Sequence, residues 1–319
     1  MRIVFMGTPE FAVPSLRALI ESGENVVAVV TQRDKPKGRG AKRGGGRKLA
    51  PPPVKILAES HGITVLQPEK IKTGEFLEEL SRLKPDLICV TAYGKILPKA
   101  VLELPVFGCI NVHASLLPKL RGAAPINWAI ARGCKTTGVT TMLMDEGMDT
   151  GDVLLKEEAP IDEWDTAGTL SERLSRLGGE LLVKTLAALK EGTLKPVPQD
   201  DAEATYAPIL KKEMGKIDWG KSAEEIKNKI RGFTPWPGTF TTLGGKVLKL
   251  FRAEVTEGEG TPGSVIESAD GRLVVATGEG RTGGALSVLE LQIEGGKRLE
   301  TAAFLRGHKI EPGTVLGVD

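Results

Sequence analysis

Two polar side chains end a short apolar run at residues 108–113, and they are the first candidates for chemistry. Asn111 and His113 are two positions apart. Side chains at i and i+2 of a strand project to the same face, so the two should lie together. A loop containing Pro118 and Gly122 follows. Ligands of open α/β sheets bind at the carboxyl ends of strands. These residues are therefore candidates for a reactive site, and the alternative is that they are structural polar groups.

A carboxylate could complete this site. Asp149 follows another predicted strand, 138–144, and could converge on the same point. An Asn–His–Asp group suits acyl transfer to an amine, because an unprotonated amine is already a nucleophile. Asn111 and His113 would donate hydrogen bonds to the oxyanion, each worth about 2.7–4 kcal/mol. Asp149 would orient the imidazole and assist proton transfer, a role worth about 10²–10⁴ in rate. No His, Cys and carboxylate cluster indicates a metal, so none is predicted.

The elements that would position these residues alternate between apolar runs and amphipathic stretches. This pattern predicts a Rossmann-like α/β domain with a mostly parallel sheet. The turn GTPEF at 7–11 lacks the G-x-G-x-x-G spacing, so no nicotinamide site is predicted there. Strands are predicted at 3–6, 26–30, 87–91, 109–112, 138–144 and 153–155, and helices at 11–20, 54–59, 76–83, 125–131 and 166–190.

The composition changes after the last of these helices. Residues 195–204 are rich in Pro and Asp without periodicity, which is typical of a linker. The later sequence alternates like half-buried strands at 247–255 and 286–293, and Asp270 followed by Gly271 indicates a hairpin between 264–267 and 272–276. We therefore predict a catalytic domain at 1–190, a linker at 191–206 and an OB-like β-barrel at 207–319.

The bulk composition is that of a globular protein. Of 319 residues, 40% are hydrophobic and 26% are charged. No apolar run approaches the ~20 residues of a membrane span, and a strand begins almost at once, so no signal or transit peptide is expected. The three cysteines lack a CxxC spacing, and Cys89 and Cys109 lie in apolar runs. Buried free thiols in a cytoplasmic monomer are the expectation.

Positive charge is concentrated in two segments, although the net charge of the chain is only +2. Residues 33–48 contain eight basic residues and one acid. Residues 207–252 contain ten basic residues and four acids. Two local basic segments on an otherwise acidic chain suggest a polyanionic partner. The alternative for the first segment is a solvated loop without a specific role.

Ordered motifs along nearly the whole chain resemble the 10-formyltetrahydrofolate-dependent formyltransferases. They are GTPEF at 7–11, AYGKILP at 92–98, NVHASLLP at 111–118, RGAAP at 121–125 and MDTGD at 148–152, with YAP at 206–208 and IDW at 217–219 at the start of the second domain. The resemblance implies formyl transfer from 10-formyltetrahydrofolate, used as a co-substrate, to the α-amino group of initiator methionyl-tRNA in translation initiation.

The resemblance also implies roles for individual residues. Asn111, His113 and Asp149 would be the catalytic group. The family's loop after the second strand enters the acceptor end of tRNA, and GRG at 38–40 matches it, so Arg39 would contact tRNA. Lys42 and Arg43 would add phosphate contacts in an extension of that loop. Folate contacts are expected at Ser115, Leu116, Leu117 and Pro118, with Ile96 and Leu97 walling the pterin or serving only as core. The basic entry of the second domain, which could follow the acceptor stem, comprises Lys211, Lys212, Lys216, Lys221, Lys227, Lys229 and Arg231.

Two other functions are compatible with part of the sequence. A formyltransferase acting on a small amine, such as a nucleotide sugar or a purine precursor, would share the Asn–His–Asp group but would not need the basic Gly-rich loop. A non-catalytic RNA-binding or folate-sensing protein would retain the fold without depending on His113. The basic loop and the second domain favour the tRNA substrate over both.

Overall fold

The computed structural model of the chain describes residues 1–36, 49–278 and 284–318. Its contacts divide the chain into two compact units. The first unit comprises Met1–Gly122, Thr137–Pro160 and Ser171–Tyr206. The second comprises Ala123–Thr136, Ile161–Leu170 and Ala207–Asp319. Each unit therefore combines segments that are distant in sequence.

The regular elements within the described residues are as follows. The strands are β1 (Arg2–Gly7), β2 (Asn25–Val30), β3 (Lys35–Pro36), β4 (Leu49–Ala50), β5 (Val65–Leu66), β6 (Leu87–Thr91), β7 (Cys109–His113), β8 (Thr136–Leu143), β9 (Val153–Pro160), β10 (Thr239–Leu243), β11 (Lys246–Glu257), β12 (Val265–Ala269), β13 (Arg272–Ala276), β14 (Gly284–Ile293) and β15 (Leu299–Glu300). The helices are α1 (Val13–Glu21), α2 (Pro53–Ser60), α3 (Gly74–Arg82), α4 (Lys99–Leu102), α5 (Pro125–Ala131), α6 (Ala167–Lys190), α7 (Ala223–Gly232) and α8 (Thr301–Leu305). Short 3₁₀ helices lie at Glu10–Ala12, Asp201–Glu203 and Lys212–Gly215.

The first unit is built on a sheet with the strand order β5-β2-β1-β6-β7-β8-β9 in the described residues. The pairs from β5 to β7 are parallel. Strand β8 then runs antiparallel to β7, with His113 opposite Thr140. The Rossmann-like expectation of a mostly parallel sheet is thus confirmed. The two-residue strand β5 was not predicted, because a run that short carries no periodicity to read.

Alternation along β1 separates two apolar layers, one on each face of this sheet. Ile3 and Phe5 pack in a cluster with Leu182 of α6, whereas Val4 and Met6 pack in the cluster on the other face. Period-two alternation of side chains produces this division. The two layers pack the sheet between helices. Because the strands from β5 to β7 are parallel, their carboxyl ends lie along one edge of the sheet.

Capping and proline explain where several helices begin. The side chain of Thr73 accepts a hydrogen bond from the Phe76 amide at the start of α3. Ser222 and Glu225 form a capping box at the start of α7, which satisfies amides that have no partner within the helix. The helix predicted at 11–20 is preceded by the 3₁₀ turn at Glu10–Ala12. Pro14 lies in the first turn of α1, where its missing N–H is not needed.

The second unit contains an antiparallel sheet with the order β10-β11-β14-β13-β12, and β15 pairs with β14. Its core combines strand residues with Trp219 and with Ile226 of α7. The predicted hairpin joins β12 to β13, where Asp270 and Gly271 have φ of +49° and +79°. Positive φ at both turn residues is typical of a type I′ hairpin. The expectation of a small barrel-like β domain is confirmed.

Helix α5 packs on α7 in this unit, where Asn127 Nδ2 donates a hydrogen bond to the Gly232 oxygen at 2.8 Å.

Candidate active site

Two of the predicted catalytic side chains, His113 and Asp149, meet at the carboxyl end of β7, within the first unit, and Asn111 precedes His113 by two residues on that strand. Asn111 is half-buried and His113 is buried. Their spacing on one strand places both on the same face. The Asn111 side-chain amide forms no hydrogen bond with the described residues, so its donors are available to a ligand.

The imidazole of His113 lies between two oxygen acceptors. Its Nε2 is 3.0 Å from the carbonyl oxygen of Leu120. Its Nδ1 is 3.6 Å from Oδ1 of Asp149. A carbonyl has no hydrogen to donate, so Nε2 carries the proton of the neutral ring. The structure therefore brings Asp149 beside the other ring nitrogen, at a distance suited to an ion pair once Nδ1 is protonated.

Both acceptors lie on backbone in the left-handed region. Leu120 has φ of +61° and Asp149 has φ of +56°. For residues other than glycine this conformation costs about 1–2 kcal/mol each, so it persists only where the surroundings hold it. One restraint is direct, because the Gly122 amide donates to Oδ2 of Asp149 at 2.8 Å. Strained backbone of this kind often occurs at functional sites.

The loop that carries Asp149 is fixed at both of its ends. Asp145 accepts hydrogen bonds from the Gly147 amide at 3.0 Å and from Thr150 Oγ1 at 2.7 Å. A Cβ on Gly151 would overlap the carbonyl oxygen of Leu143, so only glycine fits where the loop turns back onto β8. The loop is consequently a short closed turn with a defined carboxylate position.

The predicted folate residues divide into buried and accessible side chains. Ser115 is buried and its Oγ donates to the Lys119 oxygen at 2.5 Å. Leu117 and Leu97 are also buried, in apolar clusters. Ile96 is 78% exposed. The remaining two, Leu116 and Pro118, are partly exposed.

The predicted tRNA residues Arg39, Lys42 and Arg43 lie outside the described residues. In the second unit, Lys211, Lys212, Lys216 and Lys221 are exposed. Three other cations of that basic segment have protein partners, and burial lowers the pKa of Lys229. The contacts are Lys227 with Glu163 at 2.8 Å, Lys229 with the Lys216 oxygen at 2.7 Å and Arg231 with the Asp162 oxygen at 3.0 Å.

Sequence reasoning missed Arg121, Gln199 and Thr205, which contact the backbone around the site. Arg121 lies in a motif quoted for the resemblance but received no role, and the other two fall in the predicted linker. Their positions follow no local periodicity, so no pattern in the sequence points to them. Among the described residues no cluster of metal-ligating side chains is present, and none of their helices combines the length and the hydropathy that spanning a bilayer requires.

A Rossmann-like sheet that carries the predicted Asn–His–Asp group, followed along the chain by a barrel-like β domain, is the arrangement expected of an acyl-transferring enzyme. The family model described as formyl transferase matches residues 1–186, and the model described as formyl transferase, C-terminal domain, matches residues 209–309. This chain belongs to the formyl transferase family.

Its curated relatives extend along nearly its whole length. The methionyl-tRNA formyltransferase of Caldanaerobacter subterraneus subsp. tengcongensis is 57% identical over 319 residues, which cover 99% of this chain and 100% of the relative. That of Citrifermentans bemidjiense is 55% identical over 317 residues, covering 99% and 96%. Among solved structures, the sugar 3N-formyl transferase WlaRD, in the presence of dTDP and 5-N-formyl-THF, has a TM-score of 0.66 at 18% identity and covers 93% of this chain and 99% of its own. At that identity the likeness concerns the fold.

Proposed function

We propose that this chain transfers a formyl group from 10-formyltetrahydrofolate to the α-amino group of initiator methionyl-tRNA. The observation that carries the proposal is the Asn111–His113–Asp149 group at the sheet edge, in a chain whose near-full-length relatives at 55–57% identity are methionyl-tRNA formyltransferases. A sugar formyl transferase shares the fold, and fold alone does not select an acceptor.

The geometry around His113 supports a proposed route for removing the proton of the amine. Leu120 fixes the neutral ring with its hydrogen on Nε2, which leaves the lone pair of Nδ1 as the base. When the amine attacks the formyl carbon, a C–N bond forms and Nδ1 takes the amine proton. The resulting imidazolium is stabilised by Asp149, whose Oδ1 is 3.6 Å away.

The negative charge of the reaction develops on the formyl oxygen. Asn111 can donate to it, because its amide has no competing partner among the described residues. The other predicted donor, His113 Nε2, already donates to Leu120 in this conformation. We therefore assign the oxyanion to Asn111 and the proton to the His113–Asp149 pair. Collapse of the intermediate breaks the bond from the formyl carbon to the folate nitrogen. That nitrogen then takes from Nδ1 the proton that the amine released.

The folate is proposed to bind along the segment 115–118 and beside Ile96 and Leu97. Leu116, Pro118 and Ile96 offer surface for the ligand, whereas the buried Ser115, Leu117 and Leu97 would shape the loop beneath it. We retain the functional division into a catalytic region at 1–190, a connection at 191–206 and a tRNA-binding region at 207–319. A cytoplasmic monomer is part of the same proposal.

The direct test is formylation of methionyl-tRNA by the purified protein with fresh 10-formyltetrahydrofolate. Formylmethionyl-tRNA is the expected product, and its absence would overturn the proposal. An amino sugar nucleotide in a parallel reaction tests the small-amine alternative. His113→Ala should abolish the product, and a variant that retains full formylation would exclude the assigned base.

A second experiment addresses the residues proposed to contact tRNA in the basic loop. Deletion of residues 39–46 removes Arg39, Lys42 and Arg43. We expect KM for methionyl-tRNA to rise with little change in KM for the folate. Unchanged activity on methionyl-tRNA would show that this loop is not a tRNA contact.

A further inference from the structure

A glutamine from the predicted linker holds the loop that carries Asp149. Gln199 Nε2 donates to the carbonyl oxygen of Asp149 at 2.9 Å and to that of Gly151 at 2.6 Å. The two carbonyls lie on either side of Thr150, so one amide group fixes the backbone of three successive residues. Because Asp149 has φ of +56°, this restraint acts where the loop is strained.

The same part of the chain holds the other partner of His113. The Leu120 amide donates to Thr205 Oγ1 at 2.9 Å, and the Arg121 amide donates to the Thr205 oxygen at 2.8 Å. Leu120 is the second strained residue, with φ of +61°. Residues 199–205 thus restrain the backbone on both sides of the imidazole.

Arg121 sets the direction of the Gln199 amide. Its Nε and Nη2 lie 3.0 and 2.9 Å from Gln199 Oε1, and its Nη2 is also 2.8 Å from Oδ1 of Asp201. A guanidinium has donors only, so it selects the amide oxygen and turns the NH₂ group toward the Asp149 loop. The orientation of this amide is therefore determined by its partners on both sides.

Packing alone does not explain why the buried residue at position 121 is an arginine. Its side chain is 1% exposed, whereas Asp201, its carboxylate partner, is 84% exposed. Burying a charged group lowers the stability of the folded protein unless the group is paired and hydrogen-bonded. An apolar side chain would fill the same space without that cost, but it would leave the Gln199 oxygen without a donor.

We propose that Gln199 is a positioning residue for formyl transfer. Its amide holds the Asp149 loop with the carboxylate facing His113, and Arg121 fixes the direction of that amide. The inference rests on the proposed function, since it assumes that Asp149 acts in the transfer.

Two substitutions remove the restraint in different ways. Gln199→Met has a similar length and no donors. Gln199→Glu keeps the size and strengthens the pairing with Arg121, so it should fold, but it turns a carboxylate oxygen toward two carbonyls. For both variants we expect kcat to fall about 10- to 100-fold, the range seen when a supporting hydrogen bond is lost. KM for both substrates, the Kd of tetrahydrofolate and the melting temperature should stay close to those of the unaltered protein.

A matched control is available in the second unit. Gln292 Nε2 also donates to a backbone carbonyl, that of Gly296, at 2.7 Å. Gln292→Glu therefore repeats the chemical change far along the chain in the β sheet, and kcat should be unchanged. A kcat within twofold of the unaltered protein for Gln199→Met and Gln199→Glu would overturn the inference. So would a loss of kcat that is matched by weaker folate binding and a lower melting temperature.

A double-mutant cycle tests whether Gln199 acts through Asp149. In an Asp149→Asn background, Gln199→Met should lower kcat less than threefold further, because the group it positions is already altered. A full 10- to 100-fold further loss would overturn the inference while leaving the proposed function intact. If Asp149→Asn itself retains full kcat, the role assigned to Asp149 fails and this inference fails with it, while formyl transfer stands. If the unaltered protein forms no formylmethionyl-tRNA, the proposed function fails and this inference fails with it.

Discussion

At the scale of single residues, the chemistry depends on which hydrogen-bonding groups remain available. His113 Nε2 donates to the carbonyl oxygen of Leu120 and its Nδ1 faces Asp149, so we assign this side chain to proton transfer and not to the oxyanion. Asn111 has no partner among the described residues. A preorganised donor without a competing partner is the more effective one toward a developing oxyanion, since no existing bond is lost when charge appears.

Replacement of Asn111 by alanine tests this assignment. The loss of one oxyanion donor should lower kcat about 10²- to 10³-fold. KM for the folate should change much less, because the bond strengthens only as charge develops. Steady-state formylation of methionyl-tRNA measures both constants. Asn25→Ala, at the exposed start of β2, is the control. A loss of kcat below tenfold would assign the oxyanion to another group.

At the scale of elements, buried strands determine the reactivity of two cysteines. Cys89 lies on β6 and Cys109 on β7, and both are buried free thiols, as predicted. Burial raises the pKa of both thiols, that of Cys109 to about 12. Cys134 is half-buried. The thiolate is the reactive form, so the sheet protects two of the three cysteines.

Thiol labelling should separate these groups. We expect a disulfide reagent to modify one thiol in the native protein and three after unfolding. Raising the pH from 7 to 9 should not add native labelling of Cys89 or Cys109, because their raised pKa keeps them protonated over that range. Native modification of two or more thiols would show that β6 and β7 open readily.

A cluster of polar side chains connects the carboxyl ends of β2 and β5 to helix α2 through hydrogen bonds. Asp34, which follows β2, accepts from Lys55 of α2 at 3.0 Å and from Gln67, which follows β5, at 2.8 Å. Hydrogen bonds from Gln67, then Lys55, lower the pKa of Asp34 below 3.8. A carboxylate with a lowered pKa stabilises the folded protein at any pH above its unfolded pKa. That contribution is lost as the pH falls through the folded value.

The Asp34→Asn variant should therefore be less stable than the unaltered protein at pH 7. The difference should shrink as the pH falls below about 3.8, the ordinary value for this carboxyl. Urea unfolding midpoints of the two proteins at pH 7 and at about pH 3 would show it. A difference that stays constant over this range would mean that the carboxylate charge contributes nothing to stability.

At the scale of the whole molecule, positive charge is segregated from an otherwise acidic chain. The basic segment 207–252 has exposed lysines at 211, 212, 216, 221, 246 and 249, whereas Lys227, Lys229 and Arg231 are more buried and contact protein groups. Of the exposed lysines, Lys221 lies 3.9 Å from Glu225. We infer that the exposed lysines are the ones available to phosphates. Binding through phosphates releases counterions, so affinity falls as salt rises.

The Lys211→Glu/Lys212→Glu variant tests this inference. Its affinity for methionyl-tRNA should be weaker, and the slope of log affinity against log salt should be smaller by about two. Filter binding between 50 and 200 mM salt is a suitable measurement. The control is Arg82→Glu/Lys84→Glu, which reverses two exposed charges just before β6. These residues lie at the amino end of that parallel strand, whereas the candidate active site lies at the carboxyl ends. Equal losses in the two variants would indicate a general charge effect.

Much of the fold followed from local patterns in the sequence. The strand predicted at 87–91 and the helix predicted at 125–131 have those bounds in the structure. Apolar alternation specifies such elements because burial on two faces of a sheet requires it. The hairpin at Asp270 followed for a similar reason, since few residue pairs accept positive φ at both turn positions.

Local sequence patterns predicted only part of the candidate site. Strand periodicity placed Asn111 beside His113, but the position of Asp149 depends on how two strands pair. Gln199 is 50 residues from Asp149 and 78 from Arg121, and their hydrogen bonds exist only once the chain has folded. The left-handed backbone at Leu120 has no signature in the residue type, and that at Asp149 has only a weak one, because aspartate adopts positive φ more often than most residues but still uncommonly. Residue types and strand periodicity therefore identify which groups could react. How those groups are held depends on the folded chain, since contacts between distant segments stabilise conformations that no local preference would produce.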